Sequence, residues 1–355
     1  MRLNFQAKTE VESLPEWRYA DKPVTQHRIE TLPPLLDVRA LSVDFVSPGQ
    51  PPAHALENVS FSLREGEMLG VVGESGCGKS TLMLSLMRLL SPTGRITGGQ
   101  VNFMDQDLLD LSEPEMTRFR WKNIAMIFQG AMNALNPVRT VGDQIGEAIW
   151  RHYPVTEKNL VDERVVELLH VVGIDPDRRK HYPHQFSGGM RQRAMIAMAL
   201  ACVPQVLIAD EPTTALDVMV QAQILELLAE LRQKLGVAIL FVTHDLGVVA
   251  EVCDTVLVMY GGVVAEYADV DTIFNRPQHP YTQALLQAFP DISQFSGLDK
   301  LASIPGQPPR LNALPSGCRF APRCPVAFER CHTAQPPVFQ LNQHHAASCY
   351  LVEPA

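Results

Sequence analysis

The stretch MLGVVGESGCGKSTLMLSLMRLL, residues 68–90, reads as a buried strand, a glycine-rich turn and an apolar helix. The turn GESGCGKS, from Gly73 to Ser80, matches the pattern G-x-x-x-x-G-K-S. In this pattern the glycines let backbone N–H groups wrap around phosphates, Lys79 reaches the β- and γ-phosphate oxygens, and the Ser80 hydroxyl binds Mg²⁺. Because the strand and the helix flank the turn correctly, the stretch predicts a phosphate-binding site in an α/β fold.

Two further apolar runs, VLIA (Val206–Ala209) and AILFV (Ala238–Val242), are short enough to be buried parallel strands. Asp210 and Glu211 follow the first run, and His244 follows the second closely. Ligands of parallel α/β sheets bind at the carboxyl ends of the strands, so we expect these side chains at one site. There, Asp210 would hold Mg²⁺, Glu211 would act as general base and His244 would reach the γ-phosphate or the attacking water.

A second candidate anion-binding turn lies in HQFSGGMRQR, from His184 to Arg193. Ser187, Gly188 and Gly189 precede a helix-prone segment, and such a turn can bring backbone N–H groups close to a phosphate. The alternative is an ordinary helix N-cap with a glycine turn. That alternative explains the serine but leaves a second phosphate cradle in one chain unexplained.

The composition is typical of a globular protein of two or three domains: 355 residues, 46% hydrophobic and 19% charged, with a mean hydropathy of −0.01. The net charge of −9 argues against a general nucleic-acid binder. No apolar run reaches the 20 or so residues of a membrane span, and the N-terminus lacks the apolar core of a signal peptide. We therefore expect a cytoplasmic protein that associates with a membrane only through a partner.

Composition shifts predict the domain boundaries. Residues 1–34 are polar and interrupted by prolines, which predicts a loosely ordered tail. Alternating segments at 36–45 and 59–63 predict half-buried strands. Residues from about 105 to 205 look largely helical and predict an inserted helical subdomain. The proline-rich stretch 266–355 predicts a separate, loop-rich appendage.

Four cysteines are concentrated in this C-terminal stretch: Cys318, Cys324, Cys331 and Cys349. In a reducing compartment such a group suggests metal binding more readily than disulfides. The C-x₅-C and C-x₆-C spacings differ from the C-x₂₋₄-C of zinc ribbons. Iron–sulfur binding, a structural zinc ion and the absence of any metal remain the alternatives.

In chain order, GESGCGKS, Gln129, FSGGM, LIADEP, TALD (Thr214–Asp217) and His244 resemble the motif series of the ATP-binding-cassette (ABC) ATPases. The resemblance covers residues 36–265 and implies a P-loop NTPase (RecA-like) core with an antiparallel β-subdomain and an inserted helical subdomain. It makes Gln129 a catalytic and Mg²⁺-associated residue.

In this family two cassettes pair head to tail, and each signature turn caps the ATP held by the other subunit's P-loop. The resemblance therefore places Ser187, Gly188 and Gly189 against a γ-phosphate in trans. The family consensus ends this turn in Gln, whereas this chain has Met190, which favours a non-identical sibling as the second ATPase subunit. Phe45 is the best match to the family's adenine-stacking aromatic, and an ordinary strand aromatic is the alternative.

The resemblance thus assigns ATP and Mg²⁺ as cofactors. The residues assigned to Mg²⁺ are Ser80, Gln129 and Asp210. The residues assigned to the nucleotide are Phe45, Gly73, Ser75, Gly76, Cys77, Gly78, Lys79, Ser80, Thr81, Ser187, Gly188, Gly189 and Asp217.

Several stretches, among them YPHQFSGGMRQRAMIAMAL and NRPQHPYTQALLQAFP, resemble the oligopeptide and dipeptide importer branch. That branch implies two transmembrane permease subunits, an extracytoplasmic solute-binding protein, a position at the cytoplasmic face of the cell membrane and a four-iron four-sulfur cluster on the four C-terminal cysteines. The sequence does not identify the cargo, and dipeptides, oligopeptides, nickel, glutathione and oligosaccharides remain the alternatives. The rival hypothesis is a soluble cassette ATPase that acts on nucleic acid or ribosomes.

Overall fold

A computed structural model describes residues 14–16, 32–130, 134–154, 156–214, 216–288 and 303–354. Its strands form two sheets. The first is antiparallel, in the order β2-β1-β4-β5, and consists of β1 (Pro34–Phe45), β2 (Ala53–Arg64), β4 (Gly94–Phe103) and β5 (Gln106–Asp107). None of the helices in these ranges is long and apolar enough to span a bilayer.

The second sheet has eight strands in the order β11-β12-β10-β9-β3-β8-β7-β6. Strands β9, β3, β8, β7 and β6 run parallel to one another, and β10, β12 and β11 continue the sheet in antiparallel pairings. Its strands are β3 (Met68–Val72), β6 (Ile124–Ile127), β7 (Val206–Asp210), β8 (Ala238–Val242), β9 (Thr255–Tyr260), β10 (Val263–Asp269), β11 (Phe339–Asn342) and β12 (His345–Ala347).

Ten α-helices are found in the described residues. They are α1 (Lys79–Leu86), α2 (Glu113–Phe119), α3 (Val141–His152), α4 (Lys158–Val171), α5 (Gly188–Ala199), α6 (Val218–Leu235), α7 (Leu246–Val252), α8 (Val270–Asn275), α9 (Pro280–Gln287) and α10 (Glu329–Thr333).

The central strands are apolar throughout because both faces of the sheet are covered. Every residue of β3, β7 and β8 is buried. Successive side chains point to opposite faces, so Leu207 and Ile239 join the core under the helical insertion, whereas Ile208 and Leu240 join the core shared with the antiparallel sheet and α1. The predicted α/β core with its antiparallel subdomain is confirmed.

The lower boundary of the helical subdomain, predicted near residue 105, is wrong. Strand β5 at 106–107 pairs with β4 in the antiparallel sheet, and β6 at 124–127 pairs in parallel with β7 at the edge of the core sheet. The succession of helices begins only at α3. Strands of two and four residues leave too little periodicity to be separated from helical sequence around them.

The C-terminal stretch is not a separate appendage, because it completes the core sheet. Strand β12 pairs with β10, joining Glu266 to Ala347 and Tyr267 to Ala346, and β11 adds the outer strand. Behind this junction the buried Glu266 carboxylate lies 2.8 Å from His345 Nε2. The sequence prediction failed here because strand pairing between residues about 80 apart leaves no local signal.

Most of the predicted N-terminal tail lies outside the described residues. Within it, residues 14–16 are described: Leu14 packs against the core under the helical insertion, and the carbonyl of Pro15 accepts a hydrogen bond from Arg164 on α4. The antiparallel sheet begins at Pro34, the last residue of the predicted tail.

Phe320 provides a test that the extension and the core unfold together. Its ring is 2% exposed and packs 5.2 Å from that of Tyr260 on β9. Phe320→Ala should lower the free energy of unfolding by about 3–5 kcal/mol and shift the whole transition measured by calorimetry. The half-exposed Phe328 is the control, and Phe328→Ala should cost much less. A Phe320→Ala protein that loses one early transition and leaves the main one unchanged would show an independent appendage.

Candidate functional site

The glycine-rich turn between β3 and α1 is tightly enclosed by neighbouring backbone. Gly73 has φ 147°, and a Cβ there would lie 2.2 Å from the carbonyl oxygen of Met259. Gly78 has φ 106°, and its Cβ would lie 2.7 Å from the carbonyl oxygen of Ala55. Both the left-handed backbone and the close contacts exclude a side chain, so the turn can take this path only with glycine at these two positions.

Lys79, the first residue of α1, points its ammonium group back into the turn. Its Nζ donates to the carbonyl oxygens of Gly73 at 2.6 Å and Glu74 at 3.1 Å, and the side chain is largely buried. Ser75, Gly76 and Ser80 are exposed. The turn therefore surrounds a cation and leaves its outer residues accessible, as an anionic ligand requires.

The next turn residue, Cys77, is buried, and burial raises the pKa of its thiol. Any ligand of this turn would therefore meet the backbone of Cys77 rather than a thiolate.

Asp210 ends β7 beside this turn and is 5% exposed. Burial raises the pKa of its carboxyl group and the charge of Glu211 raises it further, whereas a hydrogen bond with Ser80 and the charge of Lys79 lower it. The structure thus places the predicted Mg²⁺ residues Ser80 and Asp210 near each other. A hydroxyl and a carboxylate are oxygen ligands of the kind that Mg²⁺ prefers.

Glu211 is the point on which the predicted catalytic side chains converge. Gln129 Nε2 donates to Glu211 Oε2 at 2.8 Å, and His244 Nδ1 lies 3.4 Å from Oε1. Glu211 itself has φ 46°, a left-handed conformation that is uncommon outside glycine. Three segments that are far apart in sequence therefore meet at one carboxylate.

Thr214 is a site residue that the sequence analysis did not assign. Its Oγ1 donates to Glu211 Oε2 at 2.9 Å. The available signal was its position three residues after Glu211 in a turn, a spacing that lets a hydroxyl reach back to the carboxylate. With Gln129, it gives one carboxylate oxygen two donors, which hold the side chain in place.

The turn at Ser187 is an N-cap, and it is also tightly packed. Ser187 Oγ accepts a hydrogen bond from the backbone N–H of Met190 at 3.3 Å, at the start of α5. Asp217 caps α6 in the same way, accepting from the N–H of Val220 at 3.0 Å. A Cβ on Gly189 would lie 2.5 Å from Val220 Cγ1. Two helix N-termini therefore lie side by side, and Gly189 has a packing role besides any contact with a phosphate.

Phe45 lies at the end of β1, opposite Ala53 on β2. Its ring covers Gly94, where a Cβ would lie 2.9 Å from Phe45 Cε1. The ring is only partly buried and packs against the core shared by the antiparallel sheet and α1. Its assignment to an adenine base remains a prediction.

The four C-terminal cysteines line one cavity of about 20 Å³, together with Phe320 and Tyr350 among others. That volume holds about one water molecule. Burial raises the pKa of Cys318 to about 11 and raises the pKa values of Cys324 and Cys349. Across the described residues, no three His, Cys, Asp or Glu side chains are arranged to hold a metal ion. In the observed arrangement of these four thiols, the predicted metal site is not formed.

Comparison with known proteins gives two matches to family descriptions. Residues 56–214 match the ABC transporter family, and residues 265–331 match the oligopeptide/dipeptide transporter C-terminal region. The second match begins within β10, where the extension joins the core sheet.

The chain is also similar to curated proteins over most of its length. It is 50% identical to a probable peptide ABC transporter ATP-binding protein of Sinorhizobium fredii, over 89% of this chain and 94% of the relative. It is 48% identical to the dipeptide transport ATP-binding protein DppD of Escherichia coli, over 89% of this chain and 96% of the relative. A solved dimeric, post-hydrolysis cassette bound to ADP and phosphate, MJ0796, matches with a TM-score of 0.59 and 28% identity, covering 66% of this chain and 98% of that one.

Gly189→Ala separates the packing role of this residue from a role at a phosphate. We expect the added methyl group to destabilise the protein by about 1–3 kcal/mol, because it meets Val220. Val220→Ala in the same chain should restore thermal stability by removing the contact. If the Gly189 backbone also approaches a phosphate closely, the double variant will be stable but defective in ATP hydrolysis. Recovery of both properties would leave packing as its only role.

Proposed function

Because this chain belongs to the ABC transporter family of ATP-binding subunits, we propose that it hydrolyses ATP to drive the import of peptides through partner permeases. The observation that carries the chemistry is the meeting of Gln129, Thr214 and His244 at the Glu211 carboxylate, beside a phosphate-binding turn. The peptide branch is supported by the C-terminal match and by relatives that are named as peptide transport proteins.

The residues of the turn would bind the triphosphate through backbone N–H groups, with Lys79 neutralising charge on the β- and γ-phosphates. Lys79 Nζ donates to two loop carbonyls, and an ammonium group has three N–H donors, so a phosphate oxygen can be bound as well. Ser80 and Asp210, with the amide oxygen of Gln129, would hold Mg²⁺, which supplies charge neutralisation at the transferring phosphoryl group.

Glu211 would polarise the attacking water as general base. Its hydrogen bonds from Gln129 and Thr214 fix the orientation of the carboxylate. The imidazole of His244 is 70% exposed and free to turn toward a γ-phosphate. When the site closes, the His244 imidazole is therefore the mobile donor and the Glu211 carboxylate is the fixed base.

The signature turn would act in trans, in a head-to-tail pair of cassettes. Ser187 caps α5 and leaves the positive N-terminal end of this helix available to a γ-phosphate of the second subunit. The dimeric state of the similar cassette MJ0796 supports such a pair. Met190 in place of the usual Gln supports a non-identical sibling as the partner.

Two transmembrane permeases and an extracytoplasmic solute-binding protein complete the proposed importer, which places this subunit at the cytoplasmic face of the membrane. The named peptide transport relatives support this assembly. None of the relatives described above supports the rival soluble ATPase acting on nucleic acid or ribosomes, and the net charge of −9 disfavours it.

We also propose that the four C-terminal cysteines bind an iron–sulfur cluster. Four thiols around one cavity lined by aromatic rings are a suitable donor set. A cavity of about 20 Å³ is too small for a four-iron cluster, so the thiols would have to separate on binding it. Thiolate formation in this buried setting would be driven by the metal itself, since metal binding releases the protons of its ligands.

Glu211→Gln tests the catalytic assignment. The variant keeps the shape of the side chain but cannot accept a proton, so we expect ATP hydrolysis to fall by about 10²–10⁴-fold while ATP binding persists. With ATP, the tagged variant should be recovered from membranes together with permeases and a second cassette. Glu230→Gln, which removes only an exposed ion pair with Lys234, is the matched control. Near-normal turnover of the Glu211 variant would remove this residue from its role.

Metal analysis of the protein purified without oxygen tests the cluster. We expect about four iron atoms per chain and visible absorbance, both lost when the four cysteines are replaced by serine. Cys202→Ala should retain the iron, because that cysteine is buried under the helical insertion. Iron-free wild-type protein without visible absorbance would refute the proposal.

A further inference from the structure

Glu74, in the phosphate-binding turn, is held by two residues of the C-terminal extension. Its backbone N–H donates to Tyr281 Oη at 2.9 Å, and its carboxylate forms a two-point ion pair with Arg323. Arg323 Nη1 lies 2.6 Å from Oε2, and Nη2 lies 3.0 Å from Oε1. Both partners belong to the C-terminal extension, more than 200 residues along the chain.

Arg323 is locked in place by its other contacts. Its side chain is 5% exposed. Nε donates to the carbonyl of Pro305 at 2.8 Å, Nη1 to Tyr260 Oη at 3.1 Å and Nη2 to the carbonyl of Ile304 at 3.1 Å. A guanidinium group has five N–H donors, and these three contacts together with the two to Glu74 use all five. The group therefore presents Glu74 with a fixed, bidentate cation rather than a mobile one.

Glu74 passes this restraint on to the residue that binds phosphate. The carbonyl oxygen of Glu74 accepts a hydrogen bond from Lys79 Nζ at 3.1 Å. The side chain, the N–H and the carbonyl of this single residue are thus bound by Arg323, Tyr281 and Lys79 respectively. A shift of Glu74 would move the start of the turn and release one of the acceptors of the lysine.

We infer that Arg323 is a positioning residue for ATP binding: through Glu74, it holds the phosphate-binding turn in the conformation that receives the triphosphate. The inference rests on the proposed ATPase function. Because Arg323 lies outside the reacting groups, its loss acts on the ground state and the transition state alike. Loss of an interaction that is equal in both states raises KM and leaves kcat unchanged.

The test compares Arg323→Met, which keeps the length of the side chain but removes all donors, with Glu74→Gln and with the double variant. We expect Arg323→Met to raise the KM for ATP about tenfold, with kcat within about twofold of the unaltered full-length subunit. The double variant should be no worse than the more affected single variant, because the two residues act as one unit. Arg323→Lys keeps the charge but not the two-point geometry, so its KM should be intermediate.

Arg330→Met is the matched control, because Arg330 lies in the same extension and pairs with Glu353 by two contacts. Its KM should be unchanged. Additive effects of Arg323→Met and Glu74→Gln, or a lowered melting temperature with an unaltered KM, would overturn the inference and leave a purely structural link. Calorimetric titration with ATP and Mg²⁺ of the Arg323 and Glu74 variants, each combined with Glu211→Gln, measures their affinity for ATP without hydrolysis. An unaltered subunit that binds and hydrolyses no ATP would instead refute the proposed function.

Discussion

The ammonium group of Lys79, enclosed by the turn that precedes it, is the interaction on which the arrangement of the site depends. A largely buried cation needs acceptors, and the carbonyls of Gly73 and Glu74 provide them. The turn can curl so tightly only because glycines occupy the positions that lie against Met259 and Ala55. These backbone contacts involve β9 and β2, so the phosphate-binding turn is held by both sheets, and its shape is a property of the whole fold.

The second centre of the site is the carboxylate of Glu211. Its position follows from the parallel sheet, because β7 and β8 end side by side and β6 brings Gln129 to the same edge. The left-handed backbone at Glu211 turns the chain sharply after β7. Such strained backbone at a polar convergence is common at functional sites, where surrounding structure maintains it. Here the N–H of Glu211 is bonded to the carbonyl of Val242 on β8, which secures the turn.

The C-terminal extension is an integral part of the ATPase core. It supplies two strands to the central sheet, an aromatic cluster around Phe320 and the cation that meets Glu74. Cys318 and Cys324, which line the cysteine cavity, adjoin Arg319 and Arg323, and Arg319 bonds to the carbonyl of Gly261 and to Glu57. The cysteines therefore lie on the same short segment as the side chains that contact the core.

The sequence by itself determined the nucleotide-site elements: short apolar runs followed by a glycine-rich turn, by Asp210–Glu211 and by His244 place these residues at the ends of parallel strands. Local patterns carry such information because burial on both faces requires a continuous apolar run. Only the tertiary structure showed that β11 and β12 join the core sheet, that the helical insertion begins after β6, and that Thr214 and Arg323 contact the site. These features depend on pairings between residues far apart in sequence. The energy of such contacts comes from packing and charge complementarity in three dimensions, which no local periodicity encodes.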